Sequence, residues 1–266
     1  MQPWAVAEPR PSASVILVRD APSGLETFMV RRHPRSPVLP GAYVFPGGTI
    51  RADDLDVQID VTQSEGLART LSERSDSALD AQQATAYYVS AIRELFEEAG
   101  VLLVRDGDGR VLSVEAVDRV LQERLASTRL ALQARDLSLA ALLADWAWRP
   151  AFDLLVPFSH WVTPAALAAR FDTRFFVAQM RPAQAALHDT IELSDGIWLP
   201  PQRVLDGEYH VVYATAQHLR RIAPFHTAPE LMGFARDKRI QRLSPEVVEN
   251  GSGLQVLIRP ELVDAW

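Results

Sequence analysis

Residues 84–101, Ala84-Thr85-Ala86-Tyr87-Tyr88-Val89-Ser90-Ala91-Ile92-Arg93-Glu94-Leu95-Phe96-Glu97-Glu98-Ala99-Gly100-Val101, decide how the rest of the chain is read. The pattern predicts a helix over 84–99, closed by Gly100 in the left-handed position that ends many helices. Stepping 100° per residue places Glu94, Glu97 and Glu98 on one face, and Ile92, Leu95, Phe96 and Ala99 on the opposite one. Three carboxylates so spaced repel by a few tenths of a kcal/mol per pair when exposed. A divalent cation among them reverses the sign, and hard ions such as Mg²⁺ and Mn²⁺ take oxygen ligands of this kind. The plainer alternative is a solvated acidic face on a good helix former.

Outward from the helix, Phe45-Pro46-Gly47-Gly48 reads as a short strand running into a glycine loop, and Asp54 stands six positions after Gly48. Arg93-Glu94-Leu95-x-Glu97-Glu98-x-Gly100-Val101 fits, position for position, the second half of the Nudix box, and the glycine loop resembles its start. In that box seven residues separate the acidic position from the arginine, whereas 38 lie between Asp54 and Arg93 here, so the box resembles one split by an insertion of 31. Asp54 is a shorter carboxylate than the usual glutamate and is not counted among the ligands. Phe158-Ser159-His160-Trp161-Val162-Thr163-Pro164 and Arg170-Phe171-Asp172-Thr173-Arg174-Phe175-Phe176 resemble phrases of the subgroup that contains the peroxisomal coenzyme A diphosphatases of animals.

The resemblance implies a Nudix α/β/α sandwich, with a mixed sheet and helical insertions. It implies a Mg²⁺- or Mn²⁺-dependent hydrolase of a nucleoside diphosphate-linked compound, with coenzyme A or acyl-coenzyme A as the first substrate to test. NADH, ADP-ribose or a nucleotide is the alternative within the family. A non-catalytic ligand-sensing module on the same fold is the alternative outside catalysis, and the intact glutamate set argues against it. Glu94, Glu97, Glu98 and the Gly47 carbonyl are the implied metal ligands. Arg93 would hold the carboxylates through charge-assisted hydrogen bonds, and Arg93 and Glu94 form the implied catalytic pair. The base is Glu94 or a later acid, for which Asp189, Glu192 and Asp195 are candidates. Gly48 admits close approach. Arg170 and Arg174, which alternate onto one strand face, are the candidate phosphate contacts.

Residues 1–266 are expected to form one domain, with insertions at about 55–83 and about 113–147. The first is polar and is expected to cover the site rather than join the core, with one helix near 64–74. The second should be two helices divided near Asp136. Strands are expected at 12–20, 26–33, 42–45, 101–104, 154–162, 171–180, from Thr190, at 197–199 and at 254–258, and helices at 201–222 and 228–237.

The formal net charge of −7 argues against a general nucleic-acid binder. No cysteine is present, which excludes disulfides, thiolate metal sites and a cysteine nucleophile. Ser36, Ser159 and Ser194 sit in no Gly-x-Ser-x-Gly elbow, so serine hydrolase chemistry is unsupported. No apolar run reaches membrane-spanning length and no secretory signal is visible, so the expected setting is the cytoplasm, with a small-molecule diphosphate as partner and neither membrane nor nucleic acid. A homodimer stays open. His160, Arg31 and Arg32 read more readily as structural or solvated side chains than as substrate contacts.

Overall fold

The computed structural model describes residues 7–36, 40–74, 78–112, 118–180, 196–251, 253–263 and 266. Strand β1 (Arg10–Ala21) runs through the middle of the sheet, and its side chains alternate between two cores. Ala13, Val15 and Leu17 enter one core while Ile16 and Val18 enter the other, as the two-residue period of a strand requires. β2 (Gly24–Arg31) pairs antiparallel with the second half of β1, and β3 (Tyr43–Val44) adds to β2. β4 (Gly47–Thr49) pairs with the first half of β1, setting Ser14 opposite Gly47 and Ser12 opposite Thr49. The glycine loop is therefore fixed to the centre of the sheet rather than hanging from its edge.

The chain continues through a 3-10 turn (Ala52–Asp56), α1 (Val61–Arg74), α2 (Ala81–Ala99), β5 (Val104–Arg105), α3 (Arg119–Ala134), α4 (Leu139–Asp145), β6 (Arg149–Pro150), β7 (Val156–Val162) and β8 (Phe171–Gln179). It ends with β9 (Gly196–Leu199), α5 (Tyr213–Ile222), α6 (Ala228–Asp237), β10 (Arg242–Leu243), β11 (Glu246–Asn250) and β12 (Gly253–Leu257). The main sheet runs β10-β7-β8-β1-β2-β3, with β4 also on β1 and β9 on β2. β1 with β8 and β7 with β10 are parallel and the other pairs antiparallel, so the sheet is mixed. Apolar residues of α2, α3 and α4 fill the core on one face, and those of α5 and α6 fill the core on the other. This is the expected α/β sandwich.

Four details differ from expectation. The helix over 201–222 is broken: a short helical stretch at 201–208 is kinked at Gly207, whose φ of 93° is left-handed, and α5 starts only at Tyr213. Asp206-Gly207 is turn chemistry inside an otherwise helical pattern. The strand over 101–104 shrinks to Val104–Arg105, because Val101, Leu102 and Leu103 are buried without strand geometry. The segment 55–83 is more than a polar cover. Val57 and Leu71 are buried in the α2-side core, and Arg74 donates to the carbonyls of Ala235 and Lys238. The closing strand near 254–258 is one arm of a separate β11–β12 hairpin. The strand expected from Thr190 lies outside the described residues. No helix among the described residues is long and apolar enough to cross a membrane.

Candidate active site

α2 is capped at both ends by its own sequence. Asp80 accepts a 2.7 Å hydrogen bond from the Gln83 N–H, satisfying a donor that the first turn leaves free. At the other end the Gly100 N–H donates to the Phe96 carbonyl, with φ at 70°. Ile92, Leu95, Phe96 and Ala99 are fully buried against the sheet, as the stripe predicted.

Most of the polar face is buried as well, with Glu98 partly exposed, which the stripe did not suggest. Arg93 has no exposed surface. Its Nε and Nη2 donate to the two oxygens of Asp54 at 2.7 and 2.9 Å, a forked pair. Nη1 donates to Glu94 Oε1 at 2.6 Å and lies 3.4 Å from Glu97 Oε1. Nη2 also reaches the Thr49 carbonyl and the Ser90 hydroxyl, both at 3.1 Å. Burial alone would favour the neutral guanidine, but the Asp54 and Glu94 carboxylates outweigh it and hold Arg93 protonated. Asp54 is thus the partner that anchors Arg93 across the insertion. Its backbone N–H and Oδ2 close a tight turn with Arg51.

Glu94, Glu97 and Glu98 do share one side of α2, each held by a different group. Glu94 lies against the glycine loop: a Cβ on Gly48 would fall on its carboxylate, so a side chain here would have to displace Glu94. Glu98 Oε2 accepts the Gly47 N–H at 2.9 Å. Gly47 itself is pressed onto β1, where an added Cβ would stand 2.6 Å from the Ala13 carbonyl oxygen. Both oxygens of Glu97 accept from Arg51, Nη1 and Nη2 each at 2.8 Å. Burial and the neighbouring Glu94 charge raise the pKa of Glu97. The same two causes push Glu98 up to about 8 despite the Gly47 hydrogen bond and the nearby Arg32. Crowded carboxylates with raised pKa values are what a cation-binding group shows before a cation neutralises it. Among the described residues, no three acidic or histidine side chains already converge as a closed metal cage.

The helical insertion reaches this site. Arg129 of α3 is buried and donates from Nε to the Glu97 carbonyl at 2.9 Å, and Gln133 donates to the same carbonyl. Arg51 Nη1 also donates to the Leu132 carbonyl at 3.2 Å, tying the split box to the C-terminal turn of α3. Arg51, Arg129 and Gln133 were not singled out from sequence. Arg51 follows the glycine loop by three positions, which was the one available signal. The two from α3 carry no motif.

Arg174 is buried on the α2 face of β8, with its guanidinium 5.2 Å from the Tyr87 ring centre. It stands opposite Ala13, the residue that faces Gly48 across the other edge of β1. Arg170 donates to the carbonyls of Thr163 and Ala7 at 3.1 and 2.7 Å, at the start of the same strand. His160 shares 2.6 Å with Asp172 beside Arg174. Asp189, Glu192 and Asp195 lie outside the described residues.

With this geometry in place, the similarities to known proteins are specific. A family model described as the NUDT19 Nudix domain matches residues 4–212. The acyl-coenzyme A diphosphatase NUDT19 of Xenopus laevis is 26% identical over 267 residues, covering 87% of this chain and 69% of that protein. The human protein of the same name is 25% identical over 275 residues, covering 88% of this chain and 70% of its own. The crystal structure of a Nudix hydrolase from Alicyclobacillus acidocaldarius superposes with a TM-score of 0.62 at 25% identity, covering 86% of this chain and 97% of that one.

Proposed function

Because the chain belongs to the NUDT19 Nudix domain family and is thus a Nudix hydrolase, we propose that it cleaves the diphosphate of coenzyme A or an acyl-coenzyme A in a reaction that depends on Mg²⁺ or Mn²⁺. The products are 3',5'-ADP and phosphopantetheine or its acyl form. The substrate class follows from the acyl-coenzyme A diphosphatases to which most of the chain is similar. The observation that carries the metal reading is the gathering of carboxylates at the glycine loop: Glu94 rests where a Gly48 side chain would stand, with Glu98 held alongside by the Gly47 N–H.

The donor set suits a hard divalent cation, since every candidate ligand is an oxygen: the carboxylates of Glu94, Glu97 and Glu98 and the Gly47 carbonyl. A cation held there would offset charge on the phosphoryl oxygens and acidify the attacking water. Glu94 takes the proton that the water loses. Arg93 keeps Glu94 in its rotamer and, through Asp54, ties that rotamer to the split loop. Gly47 and Gly48 let the diphosphate lie close to the backbone. Arg174 and Arg170 are assigned to the nucleotide phosphates, with Arg174 on the sheet face that carries Ala13 and Gly48. The single-domain reading of residues 1–266 belongs to the same proposal, since the insertions at about 55–83 and 113–147 both pack onto the core around α2.

The test compares kcat/KM for coenzyme A, acetyl-coenzyme A, NADH, ADP-ribose, diadenosine polyphosphates and nucleoside triphosphates with Mg²⁺, and repeats the best substrate in EDTA. Coenzyme A compounds should lead, and EDTA should abolish turnover. A preference of about tenfold, 1.4 kcal/mol, for any other compound would overturn the substrate assignment.

A further inference from the structure

Arg51 makes contacts that the reaction as described does not use. Its fork covers both oxygens of Glu97 at 2.8 Å. A cation that takes Glu97 as a ligand must therefore share those oxygens with Arg51 or displace it. Arg51 has a second place to rest: Nη1 lies 3.2 Å from the Leu132 carbonyl in the last turn of α3, where helix carbonyls carry partial negative charge. It is partly exposed, whereas Arg93 is sealed in and its nitrogens are committed to Asp54, Glu94, Thr49 and Ser90. Of the two guanidinium groups bonded to Glu94 or Glu97 among the described residues, Arg51 is the one with a path to solvent. It sits between the glycine loop and α3, beside the glutamates where a diphosphate would lie.

We propose that Arg51 is an exchangeable counter-ion of this site. It occupies Glu97 while no divalent cation is bound and yields Glu97 as a cation enters. It then turns its guanidinium, still near the Leu132 carbonyl, to an oxygen of the substrate diphosphate. A planar fork suits both partners, a carboxylate first and a phosphate after it. The inference rests on the reading of Glu94, Glu97 and Glu98 as metal ligands.

The idea requires two effects of opposite sign from one substitution. Arg51→Met removes the competitor for Glu97, so Mn²⁺, followed by its electron paramagnetic resonance in titrations of the full chain, should bind about threefold or more tighter, the size expected from losing a partly exposed ion pair. The same variant should raise KM for coenzyme A about tenfold, as expected from losing one charge-assisted hydrogen bond. If Arg51 only braced the loop, its loss would slacken Glu97 and weaken Mn²⁺ binding. Glu97→Gln is the control. If it weakens Mn²⁺ binding while Arg51→Met leaves binding unchanged or weaker, the counter-ion idea fails and the metal reading stands. If Glu97→Gln binds Mn²⁺ like the parent, both fail. Tighter Mn²⁺ binding with an unchanged KM would overturn the diphosphate contact. Should Arg51→Met not fold, Arg51→Lys keeps the charge without the fork and should show both shifts at smaller size; neither shift in Arg51→Lys overturns the proposal.

Discussion

The two faces of the sheet both hold ionisable side chains out of water and treat their charge differently. On the α2 face Arg93 is sealed from water yet remains a cation, because Asp54 and Glu94 lie within 2.9 Å. On the α5 face Lys238 and His218 sit among aromatic rings, and among the described residues their hydrogen-bond partners are the Phe158 carbonyl for the one and the Ala214 carbonyl and Ser159 hydroxyl for the other. Lys238 lies 4.5 Å from the Phe158 ring centre and 5.7 Å from that of Trp266, and burial brings its pKa down to about 7. His218 stacks 4.0 Å from Phe175, and burial takes its pKa down to about 3. Its neutral tautomer follows from its partners. The Ala214 carbonyl can only accept, so Nδ1 carries the proton, and Nε2 accepts from the Ser159 hydroxyl at 2.6 Å. Depth of burial therefore does not decide charge. A partner of opposite sign within bonding distance does.

Removing that partner tests the contrast most severely. Arg93→Met strands Asp54 and Glu94 as buried carboxylates and should cost about 3–5 kcal/mol in urea unfolding. Adding Asp54→Asn should return part of the loss, and a cost under about 1 kcal/mol for the single variant would remove the distinction between the faces. The next effect falls on catalysis. Glu97→Gln or Glu98→Gln should lower kcat by about a hundredfold or more with Mg²⁺ while the variant still folds by circular dichroism, because the core stripe of α2 is untouched. Parent-like turnover in either variant would end the assignment.

A pH comparison sharpens the point without touching activity. In EDTA, folded Glu98 keeps its proton up to about 8, whereas the ordinary value is 4.5. Between those values the folded state binds more protons than the unfolded state, so rising pH costs stability. The parent should lose stability relative to Glu98→Gln from about pH 4.5 to 8, and a flat difference would contradict the crowding of these carboxylates. The smallest effect belongs to the aromatic face. Lys238→Met should shift stability by about 1 kcal/mol or less at neutral pH, since the lysine there is already half neutral. The parent should gain on this variant as the pH rises from about 7, because the unfolded lysine then holds a proton that the folded one has released.

Much of the α2 face was legible in advance. The period of Glu94, Glu97 and Glu98 fixed the helix side, and counting six from Gly48 found Asp54, although only the structure shows it paired with Arg93. Burial of that polar face was not legible, because it comes from α3 and the 3-10 turn, whose contacts obey no short-range period. Arg51, Arg129 and Gln133 meet α2 through main-chain carbonyls and carboxylates, and nothing in their own neighbourhood announces this. Strand β4 was missed for a related reason. Gly47-Gly48-Thr49 lacks strand character, and its pairing is imposed by the close approach of β1.

The parallel ladder between β1 and β8 joins Arg10 through Val18 to Phe171 through Gln179. The strand at the centre of the sheet must therefore wait for a partner made some hundred and sixty residues later, while its Val15-Ile16-Leu17-Val18 run, apolar on both faces, stands unpaired along that edge. Long-range parallel pairing of this kind folds slowly and exposes intermediates to aggregation. The same arrangement makes inserted length cheap, since doubling a loop costs only about 0.6 kcal/mol in closure entropy. An emerging chain of this protein would thus gain most from a chaperone in the interval between the synthesis of β1 and that of β8, and lengthening either helical insertion would delay its maturation far more than it would weaken the finished fold.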